Sequence, residues 1–228
     1  MFNEEGNVGE IVREVRKTLR ENRYDADIVI VDDGSEDGTL FEIERVRQSF
    51  AGIVVRKHEK NLGFGAAVRT AMEAARAGGY DFIVFMDADF TMHPEYIEAF
   101  YSKLEEGYDF VIGSRFIAGG GMRDVPWYRK AVSVLGRVVL GICFRLPISD
   151  YTQGFRAIRT TLIGKMKLTE SGFPILIQEI FEARKHTNKF SEISFVLTGR
   201  KTGRSKFSYT PKVLWDYLKY AFRALVEG

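Results

Sequence analysis

Residues that staple, ligate or stiffen small proteins are scarce in this 228-residue chain, which has one cysteine, three histidines and five prolines. A lone Cys143 excludes a disulfide framework and an all-cysteine metal site, and it suits a reducing compartment. His58, His93 and His186 stand far apart, without HExxH or paired spacing, which excludes a histidine-rich zinc centre. Long hydrophobic runs are missing as well. The most apolar stretch, Ala131 to Phe144, is interrupted by Ser133 and Arg137 and closed by Arg145 and Pro147, short of the roughly 20 apolar residues a membrane span needs. The opening Asn3-Glu4-Glu5 is too polar for a secretory leader. No GxxxxGK[ST] loop is present, so P-loop hydrolysis is excluded. Gly63-Phe64-Gly65 lacks the third glycine and the closing acid of a dinucleotide fingerprint, which removes a nicotinamide reading.

What remains is ample for a core. With 45% hydrophobic and 28% charged residues the composition is that of a globular chain, and the length suits one domain over 1–228. A net charge of +2 conceals two unlike halves. Residues 1–113 carry 13 Lys+Arg against 23 Asp+Glu, whereas residues 114–228 carry 20 against 8. An acidic front half suits cation chemistry; a basic back half suits phosphates, nucleic acid or an anionic membrane surface.

Periodicity organises the front half. Val8, Ile11, Val12, Val15 and Leu19 recur at helical spacing, and Asp27 to Asp32 is a short continuous apolar run of the kind a buried parallel strand shows. The pattern then repeats: helix Thr39 to Phe50 and strand Ile53 to Arg56, helix Phe64 to Ala77 and strand Phe82 to Met86, helix Pro94 to Leu104 and strand Phe110 to Gly113. Such alternation predicts an α/β fold, a mostly parallel Rossmann-like sheet with helices on both faces. The back half is elaborated differently, with helices expected over Trp127 to Arg145, Phe173 to His186 and Lys212 to Val226, and a strand over Phe190 to Leu197. The first helix has only two residues before Asn3, so the 1–113 half is expected to lack an obvious first strand.

Ligands of such sheets bind at the carboxyl ends of the strands. Those ends carry Asp32-Asp33-Gly34-Ser35, Asp87-Ala88-Asp89 and Gly113-Ser114-Arg115. Side chains two apart in extended backbone point the same way, so Asp87 and Asp89 can share a divalent cation, and hard carboxylate oxygens suit Mg²⁺ or Mn²⁺ beside substrate phosphates. Simpler readings exist for both acidic segments. Asp89 could cap the next helix, which leaves Asp87 without a task, and Asp32 to Thr39 could be only a turn and helix cap.

Together, Asn3-Glu4-Glu5 opening a helix, Asp32-Asp33-Gly34-Ser35, Asn61-Leu62-Gly63 before a helix, Asp87-Ala88-Asp89 followed by His93-Pro94-Glu95, and Gly113-Ser114-Arg115 resemble the inverting family 2 glycosyltransferases of GT-A fold. Asp150-Tyr-Thr-Gln-Gly154-Phe155-Arg156 and Arg200-Lys-Thr-Gly203-Arg-Ser205-Lys206 are similar to segments of the polyprenyl-phosphate sugar synthases, a group that includes the dolichol-phosphate mannose synthases. The resemblance covers nearly the whole chain. It implies a hexosyltransferase moving a sugar, mannose from GDP-mannose in the first instance, to a polyprenyl (dolichyl) phosphate with inversion, dependent on Mg²⁺ or Mn²⁺. A UDP-glucose-dependent glucosyltransferase would share every one of these motifs, and a non-catalytic nucleotide-sugar-binding subunit is the alternative from another class.

The resemblance also distributes roles. Phe2, Asn3, Glu4, Asp32, Asp33, Asn61, Gly63, Asp87, Ala88, Asp89 and Arg115 would bind the nucleotide sugar. Asp87, Asp89 and Thr91 would hold the metal; Arg129, Ser133, Arg200 and Lys206 would hold the acceptor phosphate. Asp87, Asp89, Arg115, Asp150 and Arg200 would be the catalytic set, with Asp150 orienting either the sugar or an arginine. Departures from the family pattern are Met1-Phe2 in place of a strand and proline, Thr91 in place of a longer ligand, Gln153 in place of a small residue and Arg204 in place of an acid. The implied partners are a nucleotide-diphosphate sugar and a lipid phosphate, with no nucleic acid. Residues 114–228 would face the membrane, with Trp127, Tyr128 and the helix to Phe144 as an interfacial element rimmed by Arg129, Lys130 and Arg145. The expected place is the cytoplasmic face of a membrane, reached peripherally or through a small membrane partner subunit.

Overall fold

A computed structural model describes residues 1–200 and 210–227. In chain order the elements are α1 (Val8–Glu21), β1 (Ile28–Asp32), α2 (Thr39–Ser49), β2 (Ile53–Lys57), α3 (Phe64–Ala77), β3 (Phe82–Phe85), α4 (Ile97–Glu105), β4 (Phe110–Ser114), β5 (Gly121–Met122), α5 (Trp127–Phe144), β6 (Arg156–Arg159), α6 (Thr160–Ile163), α7 (Ile175–Ala183), β7 (Phe190–Ser194), β8 (Val196–Leu197) and α8 (Pro211–Val226). Every helix and strand expected in the front half is present, within a few residues of its expected bounds. The helix expected from Pro94 opens instead as a 3-10 turn, Pro94–Tyr96, before α4. The strand expected over Phe190 to Leu197 divides at Phe195, whose backbone N–H turns to the carbonyl of Ser114.

β1 and β2 pair in parallel, and a four-stranded sheet runs in the order β3-β6-β4-β7. β4 and β7 are parallel, as are the two-residue β5 and β8. Periodicity did not reveal the short β5 and α6, nor β6, which inserts antiparallel between β3 and β4. Its sequence, Arg-Ala-Ile-Arg, offers only two apolar residues between arginines, too little for a strand signal. The insertion has a positional consequence. Arg156 at the start of β6 lies opposite Phe85 and Ile112, near the carboxyl ends of β3 and β4, so the segment leading into β6 reaches the same edge as the acidic loops.

Alternating side chains send the four-stranded sheet's two faces into separate cores. Phe110, Ile112 and Ile158 join a cluster with α3, α5, α6, α7 and α8, whereas Val111, Ala157 and Ile193 join Phe100 and Leu104 of α4. Helices therefore cover both faces, as the βαβ pattern predicts. A third cluster packs Ile11, Val12 and Val15 of α1 and Ile43 and Val46 of α2 on Ile30 of β1. On the edge of β1 away from β2, Met1 donates its N–H to Val31 O (2.5 Å) and accepts from Asp33 N–H (2.8 Å), the bonding of a parallel strand neighbour. No ladder joins β1 to β3 among the described residues.

Candidate active site

A cavity of about 1860 Å³ opens where β1, β3 and β4 end and continues between β1 and β3. Its walls hold Phe2, Glu4, Asp33, Asn61, Gly63, Asp87, Ala88, Asp89, Thr91, Arg115, Arg129, Ser133 and Arg200. One region thus gathers residues expected for donor, metal and acceptor. Asn3, Asp32 and Asp150 do not line it, and Lys206 lies outside the described residues.

The acidic pair follows β3 directly. Asp89 is buried, and its Oδ1 accepts from the backbone N–H (3.0 Å) and the hydroxyl (2.6 Å) of Thr91. Thr91, expected as a ligand, thus donates to the second carboxylate and fixes its rotamer. Asp89 Oδ2 meets Arg200 Nη2 at 2.8 Å, and Arg200 Nη1 lies 3.6 Å from Glu4 Oε1. Burial and the neighbouring Asp89 carboxylate push the Asp87 carboxyl up to about 7, against the pull of the Arg200 guanidinium. Two enclosed carboxylates with that mutual repulsion form a cation-seeking pair. Among the described residues no cluster of three or more His, Cys, Asp or Glu forms a further ligand set. A divalent ion here would take its protein ligands from Asp87 and Asp89 and the rest from phosphate oxygens or water.

Asp33 is held by its own chain. Its Oδ1 accepts from Leu62 N–H (2.9 Å) and lies 2.6 Å from His58 Nδ1, and its Oδ2 accepts from Gly63 N–H (2.9 Å). His58 Nε2 in turn lies 2.9 Å from the Thr70 hydroxyl on α3. The Asn61-Leu62-Gly63 turn is therefore clipped to the end of β1. Gly63 has φ +97° and a Cβ there would come within 2.5 Å of Ser171 O, so no other residue fits without displacing the loop. Asp32 is fully buried; Oδ1 accepts from Ser35 N–H at 3.2 Å, and Oδ2 has no hydrogen-bond partner among the described residues. Asn3, at φ +49°, donates its backbone N–H to the Ser35 hydroxyl and accepts from Glu36 N–H through Oδ1, both at 2.9 Å. Glu4 Oε2 accepts from Asn7 Nδ2 at 2.9 Å.

The basic side is equally ordered. Arg115 Nε and Nη2 donate to the two oxygens of Asp150 at 2.7 and 2.8 Å, a bidentate pair, and Nη2 also reaches the Thr152 hydroxyl at 2.9 Å. The Asp150 carboxylate thus fixes the Arg115 guanidinium. Glu192 on β7 holds the turn beneath, accepting from the N–H groups of Ser149 (2.7 Å) and Asp150 (3.0 Å). Arg129 and Ser133, one helical turn apart on α5, line the cavity together, and the Arg129 Nε is buried without a partner among the described residues.

Sequence reasoning missed a second ion pair. Arg156 and Glu179, both 0% exposed, meet at 2.7 Å, and Arg156 also donates to the carbonyls of Leu176 (2.9 Å) and Gln153 (3.0 Å through Nε). Burial raises the Glu179 carboxyl, opposed by Arg156, and the free Oε1 is buried without a partner among the described residues. The signal available was Gly154-Phe155-Arg156; nothing in the apolar run around Glu179 marks its partner. Gln153, at the position of a small residue in the family pattern, accepts from the N–H groups of Gly154 (2.7 Å) and Phe155 (3.2 Å) and so closes the turn into β6.

Comparisons with known proteins agree with this architecture. The description of glycosyl transferase family 2 matches residues 1–167. The dolichol-phosphate mannosyltransferase of Pyrococcus furiosus is 30% identical, with 98% of this chain and 61% of that protein covered. The polyprenol monophosphomannose synthase of Mycolicibacterium smegmatis is 31% identical over 79% of this chain and 70% of its own. This chain thus spans about three fifths of the Pyrococcus relative's length. Among solved structures, glucosyl-3-phosphoglycerate synthase of Mycobacterium tuberculosis, determined with Mn²⁺, UDP and phosphoglyceric acid, superposes with a TM-score of 0.71 at 18% identity. It covers 97% of this chain and 76% of its own, a likeness of fold.

Proposed function

The chain belongs to glycosyl transferase family 2, and from that premise we propose that it transfers a hexose, mannose from GDP-mannose, to a polyprenyl phosphate with inversion at the anomeric carbon. The observation that carries the reading is the meeting, at one sheet edge, of an enclosed Asp87/Asp89 pair with Arg115, Arg129 and Arg200 around a single cavity. The mannosyl and polyprenyl parts draw on the two relatives' names, each a transferase to a lipid phosphate.

In this reading the acceptor is a phosphate monoester, already ionised near neutral pH, so its oxygen needs no general base. The oxygen attacks the anomeric carbon opposite the leaving diphosphate; the new C–O bond forms as the old one breaks, and the electron pair leaves on the nucleoside diphosphate. What the chain supplies is charge balance and alignment. Arg129 and Arg200 draw the acceptor phosphate inward, and Ser133 donates beside them. Arg115, held rigid by Asp150, faces the donor without the entropy of a free side chain. Mg²⁺ or Mn²⁺ held by Asp87 and Asp89 would neutralise charge on the diphosphate. Thr91 keeps the Asp89 carboxylate in position for it.

The lipid acceptor requires contact with a bilayer. No helix among the described residues is long and apolar enough to cross one. In this reading the described residues meet the bilayer through the Trp127, Tyr128 and α5 region at its cytoplasmic face. The reading needs no additional membrane subunit.

Calorimetry with GDP-mannose and UDP-glucose, each with and without Mn²⁺, followed by transfer of radiolabelled mannose to a short-chain polyprenyl phosphate, tests the proposal. Metal-dependent binding of GDP-mannose and a lipid-soluble labelled product are the expected results. Preference for UDP-glucose would overturn the donor assignment. Binding without any transfer would favour a non-catalytic sugar-nucleotide subunit.

A further inference from the structure

The transfer steps leave one buried ion pair of the cavity wall without a task. Arg156 and Glu179 are both closed off from solvent, and both bound the cavity. Arg156 directs its donors into the wall, to Glu179 Oε2 at 2.7 Å and to the carbonyls of Leu176 and Gln153. Glu179 Oε1 receives no hydrogen bond from any described residue. A buried acceptor without a donor is rare in folded proteins, and one in the wall of a ligand cavity marks a place where a donor arrives. α7 sets this oxygen close to the acidic loop. Leu176 and Glu179, three residues apart on one side of the helix, both line the cavity. A Cβ on Gly154 would lie 3.7 Å from Met92 Cε and 4.0 Å from Leu176 Cδ2, and Met92 Sδ accepts from the Asp87 N–H at 3.5 Å. The wall thus runs from Asp87 through Met92 and Gly154 to Leu176 and Glu179. Phe64 and Phe173, stacked at 4.8 Å, extend it on the α3 side.

We infer that this wall holds the hexose of the nucleotide sugar, and that Glu179 Oε1 accepts a hydrogen bond from one of its hydroxyls, a contact that selects among hexoses. The inference rests on the sugar-transfer reading proposed above. Charge decides which part of the substrates goes there. In that reading the diphosphate belongs with the cation of Asp87 and Asp89, and the acceptor phosphate with Arg129 and Arg200. A carboxylate repels both of these anions, whereas a sugar hydroxyl brings the donor that Oε1 lacks. Base and ribose are expected at the end of β1, beside Phe2 and Asp33; Glu179 instead pairs with the first residue of β6, next to the end of β3. Arg156 holds the carboxylate by its other oxygen, so Oε1 is fixed before the sugar arrives. A fixed, dry acceptor discriminates strongly against a sugar whose hydroxyl is missing or inverted.

Calorimetry of the full chain with Mn²⁺ tests this, using GDP-mannose, its 2-, 3-, 4- and 6-deoxy counterparts, and GDP. In the wild type, one deoxy donor is expected to bind at least about tenfold more weakly than GDP-mannose, because Oε1 is left without its donor. In Glu179→Gln that one gap should close to within about threefold, while the gaps of the other deoxy donors and the affinity for GDP stay as in the wild type. A purely structural role predicts instead an equal weakening of every donor and of GDP. That result overturns the inference, as does an unchanged pattern. Arg156→Met/Glu179→Leu removes the same oxygen and leaves no stranded charge, so it must close the same gap; a gap that survives in it overturns the assignment even where Glu179→Gln fails to fold. The measurement needs no lipid. A Glu179-dependent gap in a chain that transfers nothing refutes the proposed activity alone, and uniform gaps in a chain that does transfer refute this assignment alone. Where UDP-glucose is the donor bound, the deoxy series on UDP-glucose gives the same reading. Failure of every nucleotide hexose to bind overturns both.

Discussion

Arg200 Nη2 stands 2.8 Å from Asp89 Oδ2, so a guanidinium takes up one oxygen of the carboxylate that a divalent ion would share with Asp87. The same cation cannot serve the acidic pair and an incoming acceptor phosphate at full strength. Metal loading would release Arg200 from Asp89 and, in the proposed reading, free its positive charge for the acceptor phosphate.

Arg200→Gln is therefore expected to act in opposite directions on two measurements. Mn²⁺ affinity of the chain without substrate should rise about tenfold, because a charge-assisted contact and a like charge are both removed from the ion's site. The KM for lipid phosphate should rise at the same time. Mn²⁺ titration by electron paramagnetic resonance reads the first effect, and steady-state kinetics read the second. Weaker Mn²⁺ binding in the variant would contradict the competition.

Thr91→Val keeps shape and removes the hydroxyl that donates to Asp89 Oδ1 at 2.6 Å. Groups that orient a ligand typically contribute 10–100-fold to metal affinity, and a loss of about tenfold is expected here, with melting temperature little changed. Isothermal titration with Mn²⁺ and GDP-mannose measures it. A loss as complete as that of Asp89→Asn would make Thr91 a direct ligand.

Asp87 carries a pH signature. Its folded-state carboxyl is pushed up to about 7 from an ordinary value of 3.8, so the neutral form is favoured by folding. That contribution to stability is fully present below the ordinary value and is lost as pH rises through about 7. The metal-free chain should therefore lose melting temperature between pH 5 and pH 8 relative to Asp87→Asn, which has no proton to lose. Mn²⁺ must displace that proton, so the ion should raise the melting temperature more at pH 8 than at pH 6. Differential scanning fluorimetry across pH reads both trends, and parallel wild-type and variant curves would refute the assignment.

Arg156 and Glu179 are coupled in the interior. Either Arg156→Met or Glu179→Leu alone leaves a buried charge without its partner, and a loss of about 3–5 kcal/mol in urea denaturation is expected for each. The double variant should recover much of that loss, because two apolar side chains leave no stranded charge. Additive losses would mean that the two residues stabilise independently.

Local sequence determined more of this protein than its modest motifs suggest. Short apolar runs such as Ile28–Asp32 and Phe110–Ser114, bounded by turn residues, have the length and pattern of inner strands, and the helical spacing of Val8, Ile11, Val12 and Val15 set the side on which α1 packs. Asp87 and Asp89 were legible as a pair because two acids directly after an apolar strand must emerge at its carboxyl end. Periodicity is a property of neighbours in the chain, and these features need nothing else. β6 escaped it because Arg-Ala-Ile-Arg becomes a strand only when β3 and β4 stand on either side to receive its backbone bonds.

The pairings that make the site belong to tertiary structure. Arg115 with Asp150, Arg156 with Glu179 and His58 with Asp33 join residues 35, 23 and 25 positions apart, and Arg200 meets Asp89 from still farther along the chain. Composition showed that charges of both signs were available; strand order decided which of them met. The reason is energetic as well as geometric. Coulombic attraction becomes selective only after the sheet has excluded water and fixed the distance, and no linear pattern carries either the dielectric or the distance.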